Sequence, residues 1–185
     1  MKKFPRLETK RLTLRAFEMS DVDSVVAMAG DWLVAQTLTL PYPYCEADAV
    51  AWIKASAPFF EKGEIVNFAV CLKENGQLIG SLGLKDILAG HRAEMGYWIG
   101  KAHWNHGYAT EAGLAVMTYG FEVLKLRRIF AHHLTWNPAS GRVMSKMGMS
   151  HEGVLREHIA GRDGAFEDMS VYGILREEWK KKHSD

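Results

Sequence analysis

A chain of 185 residues, 48% hydrophobic and 24% charged, can bury one good core and has no excess for a second, so a single domain over 1–185 is expected. A formal net charge of +1 gives no nucleic-acid footprint and no strongly acidic surface. The two cysteines, Cys45 and Cys71, suit reduced thiols, no apolar run follows Lys2 and Lys3, and no stretch approaches bilayer-spanning length, so the expected location is the cytoplasm, with no membrane partner.

In chain order the pattern is mixed α/β. Leu12, Leu14 and Ala16 alternate with Arg11, Thr13 and Arg15, predicting a first strand with one polar face. Ser20-Asp21 opens a helix carrying Val22, Val25, Val26 and Ala29, stopped by Gly30. Pro41-Tyr42-Pro43-Tyr44 is a loop and Glu46 to Phe60 a second helix, and the stretch between the helices is placed to wall a substrate pocket. Val66 to Lys73 and Leu78 to Lys85 read as strands joined through Asn75-Gly76, a hairpin signal.

The next strand runs from about Arg92 to Ile99 and leads into the most informative stretch. Glu94-Met95-Gly96-Tyr97-Trp98-Ile99-Gly100, followed by Trp104-Asn105-His106-Gly107-Tyr108-Ala109-Thr110-Glu111-Ala112, reads as a strand, a connector, a glycine turn and a helix start. Gly107 tolerates a positive φ and lets a ligand approach the main chain. The helix behind it offers unpaired N–H groups and the positive end of its dipole to an anion, and Glu111 suits the first turn. The bland reading of Gly107 is a loop end. No Lys-Ser or Lys-Thr pair follows, which excludes a nucleotide-triphosphatase loop. Gly-x-Ala without a surrounding βαβ unit fails as a dinucleotide fingerprint.

Gly107 to Leu124 is apolar over much of its circumference, predicting a largely buried central helix. Arg128 to Thr135 is a fifth strand, and Ala139 to Met147 is a short helix with Asn137-Pro138 at its start. The remainder is a hairpin turning near Gly161-Arg162-Asp163-Gly164, with Lys180 to Lys182 as a solvated helix end. Of the eight histidines, His103 and His106 flank the glycine turn and His132-His133 sits on a strand; neither set finds a third ligand at zinc spacing, so no metal is expected.

These segments together resemble motif A and its flanks in the GNAT superfamily, the acetyl-CoA-dependent N-acetyltransferases. Gly107 and Ala109 match the last two positions of Gln/Arg-x-x-Gly-x-Gly/Ala, and Trp104 stands where Gln or Arg is usual, as in the branch similar to the ribosomal-protein alanine and serine N-acetyltransferases. Asn137-Pro138-Ala139-Ser140, Lys146-Met147-Gly148-Met149, Glu152-Gly153, the opening Leu7 to Arg15 and Trp179 extend the likeness over nearly the whole chain. It implies an α/β fold with a mostly antiparallel sheet of six to seven strands, about four flanking helices and two splayed central strands.

The resemblance also implies roles. Tyr97, Trp98 and Ile99 would contact the pantetheine arm of acetyl-CoA, and Trp104, Asn105, His106, Gly107, Tyr108, Ala109 and Thr110 would hold its pyrophosphate. Asn137 would bind near the pantetheine amides, with Ser140 and Lys146 along the cofactor's path. Glu94 is the candidate base, and a structural ion pair is its alternative reading. The family's usual acid, a tyrosine seven residues after the capping Asn, is Met144 here; Ser140 is the candidate to protonate the thiolate, its alternative reading is a packed or solvated helical serine, and a thiol leaving group can do without an acid. Glu157 and His158 are weaker substrate-side candidates. The implied partners are acetyl-CoA and a primary amine, expected to be a protein or peptide α-amine. A polyamine- or aminoglycoside-type small amine is the rival acceptor, and a noncatalytic acyl-CoA sensor is the other function class. A monomer and a homodimer both fit.

Overall fold

The computed structural model describes residues 3–162 and 164–183, the side chain of His183 apart. Among these residues, eight strands form a single sheet: β1 (Leu7–Glu8), β2 (Leu12–Arg15), β3 (Val66–Leu72), β4 (Leu78–Leu88), β5 (Arg92–Ile99), β6 (Arg128–Leu134), β7 (Ser150–Ala160) and β8 (Phe166–Leu175). They lie in the order β1-β2-β3-β4-β5-β6-β8-β7. The helices are α1 (Val22–Ala29), α2 (Trp32–Ala35), α3 (Glu46–Lys62), α4 (Tyr108–Thr118), α5 (Pro138–Lys146) and α6 (Arg176–His183).

The sheet therefore has more strands than the six to seven expected, and six described α-helices stand against about four. The difference lies in short elements. The opening segment breaks into the two-residue β1 and β2, because Thr9 turns the chain by accepting Leu12 N–H on its own Oγ1. Asp31 caps the four-residue α2 by accepting the N–H of Leu33. The central helix also departs from one continuous α-helix: α4 passes at Tyr119–Val123 into a π-helical turn, beside which Gly120 packs so closely on Ile129 that a Cβ would lie 2.8 Å from its Cδ1. The last hairpin forms as expected, with Asp163 of its turn outside the described residues.

Alternation along the strands divides the core in two. Leu12, Leu14, Phe68, Leu82, Leu84, Met95 and Ile129 pack with α4 and α5 on one face. Ala69, Cys71 and Leu78 pack with Val22, Val25, Ala29, Ala49 and Ile53 of α1 and α3 on the other. The polar face expected on the first strand is consequently not a solvent face. Arg15 reaches across to Asp21, which is only 5% exposed, in a two-pronged pair of 2.7 and 2.8 Å. Asp21 also accepts the Glu18 N–H at 2.8 Å.

That pair anchors the entry to α1. Burial pushes the Asp21 carboxyl up, but the Arg15 hydrogen bonds and charge with the Glu18 N–H outweigh it, and the group sits below its ordinary value. A depressed folded value makes the contribution complete above the unfolded carboxylate value of about 3.9 and lost as pH falls through the folded one. Asp21→Ala is expected to cost about 3 kcal/mol by urea denaturation at pH 7, and the difference from the parent should shrink steadily as the titration is taken into acid.

Candidate active site

Every neighbouring pair in the sheet is antiparallel except β5 and β6. That parallel ladder covers Arg92↔Arg128, Ala93↔Ile129 and Glu94↔Phe130 and then stops. Beyond it the strands part, so the β5 edge from Gly96 to Ile99 keeps its ladder to β4 and has main-chain groups on its other side that β6 does not pair.

Two features close around the gap from the α4 side. Tyr97 packs with the α4 core and its hydroxyl reaches α5, 2.7 Å from Ser140 Oγ and 3.1 Å from the Ser140 carbonyl that it donates to. Burial pushes the phenol up to about 12 against the Ser140 hydrogen bond, so it stays protonated. The connector beyond β5 folds back on itself: Trp104 Nε1–H donates to the Ile99 carbonyl at 2.6 Å, and His106 Nδ1 lies 2.7 Å from the Trp104 carbonyl. The His106 ring stacks on Tyr108 at 5.5 Å between centroids.

Gly107 is the N-cap of α4 at φ 79°, in the left-handed region, and no side chain caps the helix. The N–H groups of its first turn are thus left for an anion. Glu111 serves that turn differently from a simple dipole partner. Its carboxylate accepts the Thr9 hydroxyl at 2.6 Å, the Arg11 N–H at 2.8 Å and the Arg11 Nε–H at 2.7 Å, tying α4 to the β1–β2 turn. Burial raises this carboxyl, and the Thr9 and Arg11 hydrogen bonds bring it below its ordinary value. Arg11 is thereby held over the Tyr108 ring at 4.6 Å, with its Nη2 3.6 Å from where a Gly107 Cβ would be. A cation thus stands beside the anion turn. Sequence reading missed Arg11 because its partner is 100 residues away.

The other face holds a cleft of about 270 Å³, lined among others by Val25, Ala29, Leu40, Tyr44, Trp52 and Trp98. Trp98 packs with the α1 and α3 cluster, opposite to Tyr97, so those two expected cofactor contacts turn to different faces. Lys85 and Gly96 also line the cleft. Its roof is the 35–40 segment, pinned by the late hairpin: Arg162 Nη2 contacts the carbonyls of Ala35, Leu38 and Leu40 at 2.9, 3.1 and 2.6 Å, and its guanidinium lies 5.7 Å from the Tyr42 ring centre. The sequence placed Arg162 only in a turn.

Glu94 sits at the closed end of the gap, with Oε1 3.0 Å from Lys85 Nζ and 3.3 Å from His132 Nδ1. Burial raises its carboxyl, while the His132 hydrogen bond and the Lys85 charge prevail and hold it below the ordinary range. The structure thus makes the ion pair real and keeps the group at the gap. Asn137 stands at the start of α5 without a side-chain cap bond, and its N–H donates to the Leu134 carbonyl at 2.7 Å. Lys146 is exposed at the far end of α5, about 9 Å along the helix from Ser140. Met144, where a family tyrosine is usual, is buried in the core. Glu157 donates its N–H to Asp168 Oδ1 at 2.8 Å, and the His158 ring lies 6.0 Å from that of His132. No group of three or more His, Cys, Asp or Glu among the described residues is arranged to hold a metal, and no helix among them is long and apolar enough to cross a membrane.

Comparison with known proteins matches residues 11–150 to the acetyltransferase (GNAT) domain. YoaA of Bacillus subtilis, named as an uncharacterized N-acetyltransferase, is 34% identical over 174 residues, 94% of this chain and 98% of its own length. The [ribosomal protein uS5]-alanine N-acetyltransferase of Escherichia coli is 24% identical over 65% of this chain and 63% of its own. A RimL structure, a ribosomal L7/L12 alpha-N-protein acetyltransferase in complex with coenzyme A, superposes with a TM-score of 0.83 at 20% identity, over 92% of this chain and 98% of that one.

The roof contact is open to test. Arg162→Ala should leave the 35–40 segment held by the short α2 and by Leu40 packing on the α1 and α3 cluster, and amide hydrogen exchange there is expected to quicken roughly tenfold while β3 to β5 stay as protected as in the parent.

Proposed function

This chain belongs to the GNAT acetyltransferases and is an acyltransferase using acetyl-CoA, and on that premise we propose that its acceptor is the α-amine of a peptide or protein N-terminus. The observation that carries the acceptor class is the cleft's lining. Its walls are mostly apolar, with Thr39, Asn67 and Ser81 among them, Lys85 is its charged side chain, no Asp or Glu is among the described residues that line it, and the Glu94 carboxylate beside it is already paired with Lys85. A polyamine or aminoglycoside brings several cationic centres, and burying them unpaired is costly. A peptide N-terminus brings one amine and a small side chain. The relative acting on a ribosomal-protein alanine supports the same choice.

The donor side fits acetyl-CoA on independent grounds. The uncapped first turn of α4 at Gly107, with Arg11 beside it, suits a pyrophosphate, and Trp104 to Thr110 form that cradle. The free β5 edge at Tyr97, Trp98 and Ile99 suits the amides of a pantetheine arm, with Asn137 and Ser140 on the opposite bank; Lys146 lies farther along the same helix. Acetyl-CoA, when bound, supplies an acetyl group already activated as a thioester.

The residues' own work is then small. Main-chain N–H groups on the β5 edge polarise the carbonyl, and the gap sets amine and thioester at attacking distance. Glu94 supports proton removal at the closed end of the gap, directly or through a neighbour. Ser140, oriented by Tyr97, stands ready to protonate the departing thiolate, a step a thiol leaving group needs only weakly.

Coenzyme A release should be fastest with alanine- and serine-starting peptides, and faster turnover of polyamines or aminoglycosides would reverse the acceptor assignment. A noncatalytic sensor instead predicts cofactor binding with no release on any amine. Glu94→Gln is expected to lose about 100-fold or more in kcat/KM while acetyl-CoA still raises the unfolding temperature as in the parent; unchanged turnover would remove Glu94 from the chemistry.

A further inference from the structure

Lys85, Glu94, His132 and His158 meet on the cleft face of the sheet where β5 and β6 part. The parallel register sets Glu94 level with Phe130 and ends there, with Gly96 and His132 each two residues farther along its strand, where the gap has opened. Residues two apart share a face of the sheet, which puts the His132 side chain on the same side as Glu94 and Gly96. Glu94 is at the closed end; His132 is across the open gap. The space over Gly96 is empty: a Cβ there would meet nothing within 4 Å, and Gly96 lines the acceptor cleft. A primary amine delivered to the free β5 edge would therefore arrive facing His132.

The tautomer follows from the contact. An ionised carboxylate only accepts, so the 3.3 Å contact to Glu94 Oε1 puts the hydrogen on His132 Nδ1, which in the neutral imidazole leaves the lone pair on Nε2. Lys85, 3.0 Å from the same oxygen, keeps Glu94 charged for that role.

We propose that His132 Nε2 is the base that takes the acceptor's proton, with Glu94 as the positioning residue that fixes the imidazole. This rests on the acetyl-transfer reading above and deepens it. His132 Nε2 removes one proton from the ammonium, freeing the lone pair that forms the N–C bond. The C–S bond breaks with its electron pair on sulfur, the second amine proton goes to that thiolate, and the imidazolium returns its proton to water. The products are an amide and a thiol. An imidazole is a better match to an ammonium than a carboxylate that Lys85 and His132 hold below its ordinary range.

The charged and titratable groups facing His132 are Lys85 from β4, Glu94 from β5 and His158 from β7. On its own strand it borders Phe130, which Arg92 and Arg128 cover at 5.4 and 5.6 Å, and its partner on β8 is the uncharged Val171.

The test is kcat/KM for an alanine-starting peptide from about pH 5 to 9, across the range where imidazoles titrate, in the parent, His132→Gln, Glu94→Gln and the double variant. His132→Gln is expected to fall about 100-fold or more and to lose the acid limb of the profile, with acetyl-CoA protection against thermal unfolding retained. The double variant should be no slower than His132→Gln alone, because the two act as a unit. Added imidazole should restore part of the rate to His132→Ala, which a purely structural histidine would not allow. Parent-like rate and acid limb in His132→Gln would overturn the assignment alone. Absence of transfer by the parent to any amine would overturn the acetyl-transfer reading, and the assignment with it.

Discussion

Three pairs of residues, Arg92↔Arg128, Ala93↔Ile129 and Glu94↔Phe130, are all that hold β5 to β6, and the site exists because the ladder ends there. A parallel pair needs a long crossover, and here the crossover is α4 with its π-helical turn. Because α4 starts where β5 and its connector end, the uncapped turn at Gly107 necessarily lies next to the free β5 edge. One topological feature thus supplies both an anion-binding helix end and a strand edge with unused hydrogen-bonding groups.

The gap would be costly if nothing covered its unpaired main chain. α5 does so from one side, with Ser140 bonded to Tyr97 and Gly141 lying against His133, where a Cβ would come within 2.7 Å of its Nε2. The helix is pressed down at that point and Tyr97 bridges across. On the other face the space directly over Gly96 is open, α1 and α3 wall the cleft through Val25, Ala29 and Trp52, and the roof is a short segment held by Arg162 through main-chain carbonyls. The two sides therefore differ in construction: α4 and α5 cover the donor side, while α1, α3 and a segment pinned by Arg162 enclose the acceptor side.

Much of this was legible in the sequence where the controlling interaction is local. Strand alternation, Asn75-Gly76, the Gly107 turn and the Asn137-Pro138 helix start each depend on residues within a few positions, and the elements fall where those patterns place them. What local pattern could not carry were contacts across long separations. Arg11 to Glu111, Arg15 to the α1 entry and Arg162 to the 35–40 segment are polar side chains whose composition marks them as surface, yet each is committed to a partner in another element. The same holds for His132, which sequence spacing could test only as a metal ligand.

The polar cluster at the end of the ladder follows from the same constraint. Where two strands stop pairing, side chains at the last register position and those beyond it can approach across the widening gap. Glu94 occupies the last position and His132 the next one on its face, so the carboxylate is held by the closed end while the imbalance of free valence falls on the imidazole. Lys85, cross-strand from Glu94 on β4, fixes the carboxylate from behind. A charge that is satisfied on one side and a neutral ring whose Nδ1–H is engaged leave Nε2 as the acceptor on the face of the sheet where the space above Gly96 is open. Chemistry and fold are joined at that register position, since moving β6 by one residue would turn His132 into the core and Ala131 or His133 toward the cleft.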